Sequence, residues 1–186
     1  MKKEIGLVLV FFSLSATAQE YRFDPTHTNA RFNIDHFNTS TNHGGFYNIE
    51  GELHFDPQHE IGTLSVTIPV KTLNTGVDAF NQHMLSADLL DVKNYPSITF
   101  TSTQWHFKAG EPDKIEGALT IRDQTHPVTL TVEKFGCYDN PIFQREVCGG
   151  DFVTTIDRTQ WGVDFLVDQG MSKEVTILVQ AEAIKQ

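Results

Sequence analysis

The sequence has little of several features that identify common classes of protein. Its 186 residues include only two cysteines, and 14 basic residues stand against 24 acidic ones. The formal charge of −10 disfavours binding to nucleic acid or to anionic membrane surfaces, because both are polyanions that need basic partners. Beyond the N-terminus no apolar run approaches the length of a membrane-spanning helix. One folded domain with a sizeable core is therefore the expected organisation.

The short motifs of common enzymes are also missing. The sequence has no G-x-S-x-G elbow, no H-E-x-x-H motif and no glycine-rich phosphate loop. The histidine pairs His36 with His43 and His54 with His59 are separated by odd numbers of residues, and on a strand an odd offset sends two side chains to opposite faces. No metal site is expected from such spacing. We predict a protein that is not an enzyme and needs no cofactor.

The N-terminus has the pattern of an export signal. The basic start Met1-Lys2-Lys3 precedes an apolar run from Ile5 to Leu14, and Ala16-Thr17-Ala18 supplies the small-x-small sequence that signal peptidase cleaves. We predict a cleaved signal peptide over residues 1–18 and a periplasmic domain over residues 19–186. An uncleaved membrane anchor is the alternative, which the shortness of the apolar run disfavours.

The two cysteines fit an oxidising compartment. Cys137 and Cys148 lie in residues 136–150, where Gly136, Asp139-Asn140-Pro141 and Gly149-Gly150 predict turns. A bridge closing this loop would stabilise the fold by about 3 kcal/mol in the chain-entropy model. Two free thiols are the alternative, and a redox-active pair is disfavoured because the spacing is not C-x-x-C. We predict a structural disulfide.

Alternation of apolar and polar residues dominates the rest of the chain. Apolar residues at every second position indicate strands with one buried and one exposed face. The alternating runs lie at residues 30–34, 47–55, 64–70, 98–100, 105–107, 115–121, 128–132, 152–156 and 175–181. Clusters of Gly, Pro, Asn and Asp separate them at spacings typical of antiparallel neighbours. The sequence predicts an all-β domain of about eight strands.

One segment departs from alternation. Between residues 77 and 91 the apolar residues recur at helical spacing, which predicts a short helix or a pair of turns. These residues are Val77, Phe80, Met84 and Leu85, with Leu89 beyond. The domain is therefore expected to be a set of strands with one short helical insertion.

Alternation does not choose between a two-sheet sandwich and a closed barrel. The positions expected to face the interior carry both very large and very small residues, which suits an apolar cavity as well as a packed core. They include Phe32, Tyr47, Phe55, Phe100 and Trp105 together with Gly51 and Gly117. Both architectures stay open at this point.

A series of segments in fixed order carries a resemblance to a known family. It begins with Asp24 to Phe32, His36 and Gly44-Gly45-Phe46. It continues through residues 74–75, 83–88, 95–100, 117–121, 125–128, 156–158 and 161–162 to Glu174-Val175. In this order and spacing the segments resemble the YceI-like family of exported polyisoprenoid-binding proteins, over essentially all of residues 21–184.

The resemblance implies an eight-stranded antiparallel lipocalin-like β-barrel with an isoprenoid chain in its interior. Hiding each CH₂ of such a chain is worth about 0.8 kcal/mol, so an apolar tunnel is enough for tight binding. The residues expected to bind it occupy inward strand positions and the helical insertion. They are Phe32, Ile34, Ile49, Val66, Ile68, Phe80, Met84, Leu85, Leu89, Phe100, Leu119, Leu130, Ile177 and Val179. The insertion, residues 77–91, either acts as a lid or simply packs on the barrel rim.

Together these features predict a periplasmic protein that carries, stores or sequesters an isoprenoid lipid of polyprenyl or quinone type. Transient membrane contact and a homodimer are compatible with this role. Two alternatives stay open: an exported enzyme acting on an amphipathic substrate, for which His27 is the histidine to watch, and a protein-interaction module without lipid. Asp157 and Arg158 are expected to form a structural ion pair.

Overall fold

The computed structural model describes residues 18–186. The expected signal peptide therefore lies outside the described residues, apart from Ala18. The strands are β1 (Gln19–Phe23), β2 (Asn29–His36), β3 (Ser40–Phe46), β4 (Glu50–Asp56), β5 (Ile61–Pro69), β6 (Ser97–Lys108), β7 (Glu111–Ile121), β8 (Gln124–Asn140), β9 (Arg145–Asp157) and β10 (Glu174–Lys185). Helix α1 spans Asp78–Met84, and short 3-10 helices span Val70–Thr72, Arg158–Trp161 and Val167–Gln169. Within residues 18–186, no helix has the length and apolar character needed to span a membrane.

The strands form one antiparallel sheet that closes on itself. From β4 to β10 each strand pairs with the next, and β1 closes the ring because it pairs with both β4 and β10. β2 pairs with the other half of β10, and β3 pairs with β2. The pairs β1 with β2 and β3 with β4 each act as one interrupted strand, so the fold is a closed eight-stranded barrel. The predicted eight-stranded barrel with a short helical insertion is confirmed.

The interruption between β1 and β2 has a local cause. Asp24 is buried, and its carboxylate accepts a hydrogen bond from the backbone N–H of Thr26 at 2.8 Å. Thr28 is also buried, and its hydroxyl donates to the carbonyl oxygen of Glu182 on β10. An aspartate that bonds to the backbone two residues on forms a turn, so the chain bends here while staying beside β10.

The interruption between β3 and β4 corrects a prediction. The run from Tyr47 to Phe55 was expected to be one strand with Tyr47 facing the interior, but Tyr47 is 42% exposed. Asn48 has a φ of 58°, in the left-handed region, which breaks the strand at this point. Alternation does not continue across such a residue, so the inward assignment of Tyr47 was wrong.

The barrel has two unlike ends. At one end the strands are joined by tight turns at residues 57–60, 109–110 and 141–144, and we call this end the floor. At the other end two long connections, residues 70–96 and 158–173, join β5 to β6 and β9 to β10. We call this end the mouth. Helix α1 lies in the first of the two long connections, so the helical insertion belongs to the mouth.

An aromatic cluster fills the floor. Phe55 is 2% exposed and lies at its centre. The rings around it belong to Tyr21, Trp105, Phe107 and Phe135, with centroid distances of 5.4 to 6.4 Å. A Cβ at Gly62 would lie 2.3 Å from the Trp105 ring, so glycine is what lets this indole lie against the neighbouring strand. Such close packing of aromatic rings is a large source of burial energy.

Cys137 and Cys148 form a disulfide at the floor, with an S–S distance of 2.06 Å. The stretch around them is not a series of turns. β8 runs to Asn140 and β9 begins at Arg145, so only residues 141–144 turn, and the two cysteines lie directly opposite each other. The disulfide prediction is confirmed. The prediction of turns holds for residues 141–144 and was wrong for the rest of the stretch, because pairing with neighbouring strands overrides local composition.

Candidate functional site

The barrel interior contains a cavity of about 340 Å³. It begins above Phe55 and Phe135 at the floor and reaches Phe80, His83 and Phe165 at the mouth. Each strand contributes alternate side chains to it; on β10 these are the residues at positions 175, 177, 179, 181 and 183. The period-two pattern of the sequence thus becomes columns of apolar side chains around one interior space.

Thirteen of the fourteen residues predicted to bind a ligand line this cavity. They are Phe32, Ile34, Ile49, Val66, Ile68, Phe80, Met84, Leu89, Phe100, Leu119, Leu130, Ile177 and Val179. Leu85 is not among the lining residues and packs against the core instead. It directly follows Met84, and neighbouring residues point about 100° apart around a helix axis. Lining is established for the thirteen, while their contact with a ligand stays a prediction.

Sequence patterns missed part of the lining. Val163, Phe165, Leu166 and Met171 reach the cavity from the connection between β9 and β10. This segment has no alternation that could have revealed it. The one available signal was the apolar residues Val163 and 165–167 between Gly162 and Gly170, two positions that adopt positive φ.

Five polar side chains of the cavity lie at the mouth, whereas Thr28 and Arg31 line it further down the barrel. His36 ends β2, Asn42 lies near the start of β3 and His83 lies on α1. Thr154 lies near the mouth end of β9, and Arg158 directly follows that strand. No Asp or Glu of residues 18–186 lines the cavity. The interior therefore changes from largely apolar at the floor, where Leu53, Phe55 and Ala183 line it, to hydrogen-bonding and basic at the mouth.

Arg158 is deeply buried, with 6% of its surface exposed. Its Nε donates to the carbonyl oxygen of Ser172 at 2.9 Å, its Nη1 to that of Val163 at 2.8 Å and its Nη2 to that of Phe165 at 3.0 Å. Burial lowers the pKa of the guanidinium, and the carboxylates of Asp164 and Asp157 act in the opposite direction. The Arg158 side chain thus bonds to both the middle and the end of the 158–173 connection and holds it in place.

Asp157 bonds away from Arg158. Its carboxylate accepts from the hydroxyl of Thr159 at 2.6 Å and from Nζ of Lys173 at 2.9 Å. These two bonds lower the pKa of the carboxyl to about 2. The expected ion pair between Asp157 and Arg158 was therefore wrong, because neighbouring residues at the end of a strand face opposite sides of the sheet.

Helix α1 covers the mouth from one side. Phe80, His83 and Met84 line the cavity from this helix, and the His83 ring meets the ring of Phe165 edge-on with centroids 5.0 Å apart. The helix thus touches the connection between β9 and β10 directly above the interior. The segment predicted to act as a lid therefore lies over the mouth of the cavity, and its action as a lid stays a prediction.

A second contact joins the two connections at the mouth. Arg122, in the turn between β7 and β8, donates through Nη1 to the carbonyl oxygens of Leu89 at 3.1 Å and Gly162 at 2.6 Å. Its guanidinium also lies 5.7 Å from the centre of the Tyr95 ring. Arg122 itself does not line the cavity, so it ties the covering segments together from outside.

His27 does not line the cavity. Its Nδ1 lies 2.8 Å from Oδ2 of Asp24. Burial of Asp24 opposes its ionisation, but the hydrogen bonds from His27 and Thr26 outweigh this and lower the pKa of the carboxyl. The same contact raises the pKa of His27. A hydrogen-bonded turn accounts for this pair, and no group of three His, Cys, Asp or Glu in residues 18–186 is placed to hold a metal ion.

Known proteins of similar sequence extend over the whole chain. Protein YceI of Escherichia coli O6:H1 is 31% identical over 194 residues, covering 100% of both chains. Protein YceI of Salmonella newport is 31% identical over 182 residues, covering 96% of this chain and 93% of its own.

Solved structures share the fold. Burkholderia cenocepacia BcnA superposes with a TM-score of 0.71 at 23% identity, covering 86% of this chain and 98% of its own. A polyisoprenoid binding domain from Saccharophagus degradans superposes with a TM-score of 0.66 at 14% identity, covering 89% of this chain and 98% of its own. The family model described as YceI-like domain matches residues 21–183. The chain belongs to the YceI-like domain family.

Proposed function

We propose that this protein binds an isoprenoid lipid of polyprenyl or quinone type in the barrel cavity, and that it carries, stores or sequesters this lipid in the periplasm. The observation that carries the proposal is the apolar cavity, which is closed by aromatic rings at the floor and reaches the mouth beneath α1. Membership of the YceI-like domain family supports it, as does the fold shared with a polyisoprenoid binding domain.

The size and lining of the cavity suit such a ligand. Its volume of about 340 Å³ falls in the range of roughly 300–1,000 Å³ for small-molecule sites. Burying about ten carbons of a prenyl tail yields roughly 8 kcal/mol, the free energy of a micromolar complex before the entropic cost of binding. The tail needs no polar partner, so the protein requires only an apolar column of side chains.

Delivery of the lipid requires the mouth to open. Phe80 and Met84 lie between the cavity and the outside, so displacement of α1 would release a tail into a membrane or to another protein. Export through the N-terminal signal would place the protein between membranes. Catalysis is not part of the proposal, because the described cavity offers histidines without any carboxylate beside them as an acid–base partner.

Organic extraction of the purified protein followed by mass spectrometry tests the proposal. We expect a polyprenyl species at close to one per chain. Val179→Phe, which fills the cavity, should reduce the bound lipid at least several-fold. Val77→Phe is the matched control, because Val77 is 57% exposed and does not line the cavity. A protein that is reproducibly empty and takes up no added polyprenyl lipid would overturn the proposal.

A further inference from the structure

The charged residues that line the cavity are basic, although the chain as a whole is acidic. Acidic residues outnumber basic ones by 24 to 14, yet no carboxylate in residues 18–186 lines the cavity, whereas Arg31 and Arg158 do. Arg31 is largely exposed, but Arg158 is 6% exposed. The buried charge that faces this interior is therefore positive.

The position of Arg158 follows from strand periodicity. Phe152, Thr154 and Ile156 line the cavity from alternate positions of β9, and Arg158 is the next member of the same column. The column begins among apolar rings and ends with a guanidinium at the mouth. A ligand with a polar head and an apolar tail matches this column when its head lies at the mouth.

Some N–H groups of the Arg158 guanidinium have no hydrogen-bond acceptor. A guanidinium carries five N–H groups, and three of them are used by the carbonyl oxygens of Ser172, Val163 and Phe165. Two N–H groups, one on each terminal nitrogen, have no acceptor among residues 18–186. A buried donor without an acceptor is destabilising, and a buried charge favours any oxygen that solvates it. A ligand oxygen at the mouth would remove both costs.

We propose that Arg158 recognises the head group of the ligand. The cavity accepts long-chain amphiphiles whose heads carry oxygen acceptors, either carbonyl or phosphate, and rejects cationic heads. The head lies at the mouth beside Arg158 and the tail points to the floor. This inference rests on the proposed function, because it requires the tail to occupy the barrel.

Calorimetric titration of the lipid-free protein with a series of probes tests the inference. The probes share one prenyl tail and end in a benzoquinone, a monophosphate, an alcohol, an amine or no head group. We expect the quinone or the phosphate to bind at least tenfold more tightly than the bare hydrocarbon, and the amine to bind most weakly. If the phosphate probe binds most tightly, the preferred head group is anionic. If the quinone probe binds most tightly, the preferred head group is a neutral carbonyl.

Equal affinity for every head, or an amine that binds as tightly as the alcohol, would overturn the inference while leaving the proposed function intact. Failure of every probe to bind would instead contradict the proposed function itself. The wild-type series alone therefore separates the two, whatever the stability of any variant.

Substitution assigns the selectivity to a residue. Arg158→Met should bring the quinone, phosphate and hydrocarbon probes within about twofold of one another. Arg122→Met is the matched control, because Arg122 also bonds to two backbone carbonyls at the mouth but does not line the cavity. It should keep the wild-type preference. A folded Arg158→Met protein with unchanged preference would overturn the assignment.

Discussion

The floor and the mouth of the barrel are built from the same strands in different ways. At the floor, turns at residues 57–60, 109–110 and 141–144 join strands that close around the aromatic cluster of Phe55. At the mouth, residues 70–96 and 158–173 cross the opening as long connections. Side-chain contacts, such as those of Arg122 and Arg158, hold these connections in place.

The difference separates stability from ligand handling. Short turns and buried rings leave the floor few ways to open, whereas loops held by a few polar contacts open at lower free energy. We therefore expect substitutions at the floor to change the free energy of unfolding. Substitutions at the mouth should change how fast a ligand enters and leaves.

Phe55→Ala should have the largest effect. Phe55 is 2% exposed and contacts four aromatic rings, so its truncation leaves a cavity in a packed cluster. We expect a loss of about 3–5 kcal/mol in the free energy of unfolding, measured by urea denaturation. A loss below about 1 kcal/mol would show that the floor is not the stabilising end.

Removal of the disulfide should rank second. Replacing both Cys137 and Cys148 by alanine is expected to lower the free energy of unfolding by about 3 kcal/mol, mainly because the unfolded chain gains freedom. Urea denaturation measures this loss. Dithiothreitol should shift wild-type unfolding by a similar amount and leave the double variant unchanged. If dithiothreitol leaves the unfolding midpoint of the wild type unchanged, the prediction is contradicted.

At the mouth, Phe80→Ala should alter kinetics more than stability. Phe80 is half-buried and lines the cavity from α1, so its loss opens a path for the tail. We expect release of a radiolabelled lipid to acceptor vesicles to accelerate several-fold, with a stability loss of no more than about 1 kcal/mol. Val77→Ala, at the exposed start of the helix, serves as the control. Unchanged uptake and retention in Phe80→Ala would show that α1 is not a lid.

Asp157→Asn should have the smallest effect, and one that depends on pH. The pKa of Asp157 is lowered from 3.8 to about 2 by its bonds to Thr159 and Lys173. A lowered pKa means that the ionised form stabilises the fold above about pH 4, and that this contribution is lost as pH falls through about 2. The Tm of the variant should lie slightly below that of the wild type at pH 7 and approach it near pH 2. A difference between the two Tm values that does not change with pH would refute this.

Local periodicity accounts for the part of the site that was predicted. Ile177 and Val179 line the cavity because alternate residues of any half-buried strand share a face. Closure of the barrel was beyond such reasoning. It requires Phe23 to pair with Ala183, and a contact between residues so far apart depends on the curvature of the whole sheet.

The unpredicted features at the mouth have a different origin. On a strand, residues an odd number of positions apart face opposite sides of the sheet, as was argued for the histidine pairs. Applied to this segment, the rule would have placed Asp157 and Arg158 on opposite faces and Arg158 on the face of Ile156. The lining by Phe165 could not be inferred in this way. Its position depends on a side-chain-to-backbone hydrogen bond from Arg158, and such bonds have no period in the sequence.

The two tryptophans of the chain lie at opposite ends of the barrel. Trp105 lines the cavity at the floor, and Trp161 is buried at the mouth, where its Nε1 donates to the carbonyl oxygen of Leu119 at 3.1 Å. A quinone is an electron acceptor that quenches indole fluorescence on close approach, and it quenches the nearer indole more strongly. The fluorescence of variants that keep one tryptophan each would therefore report whether the ring of a bound quinone lies beside Trp161 or beside Trp105.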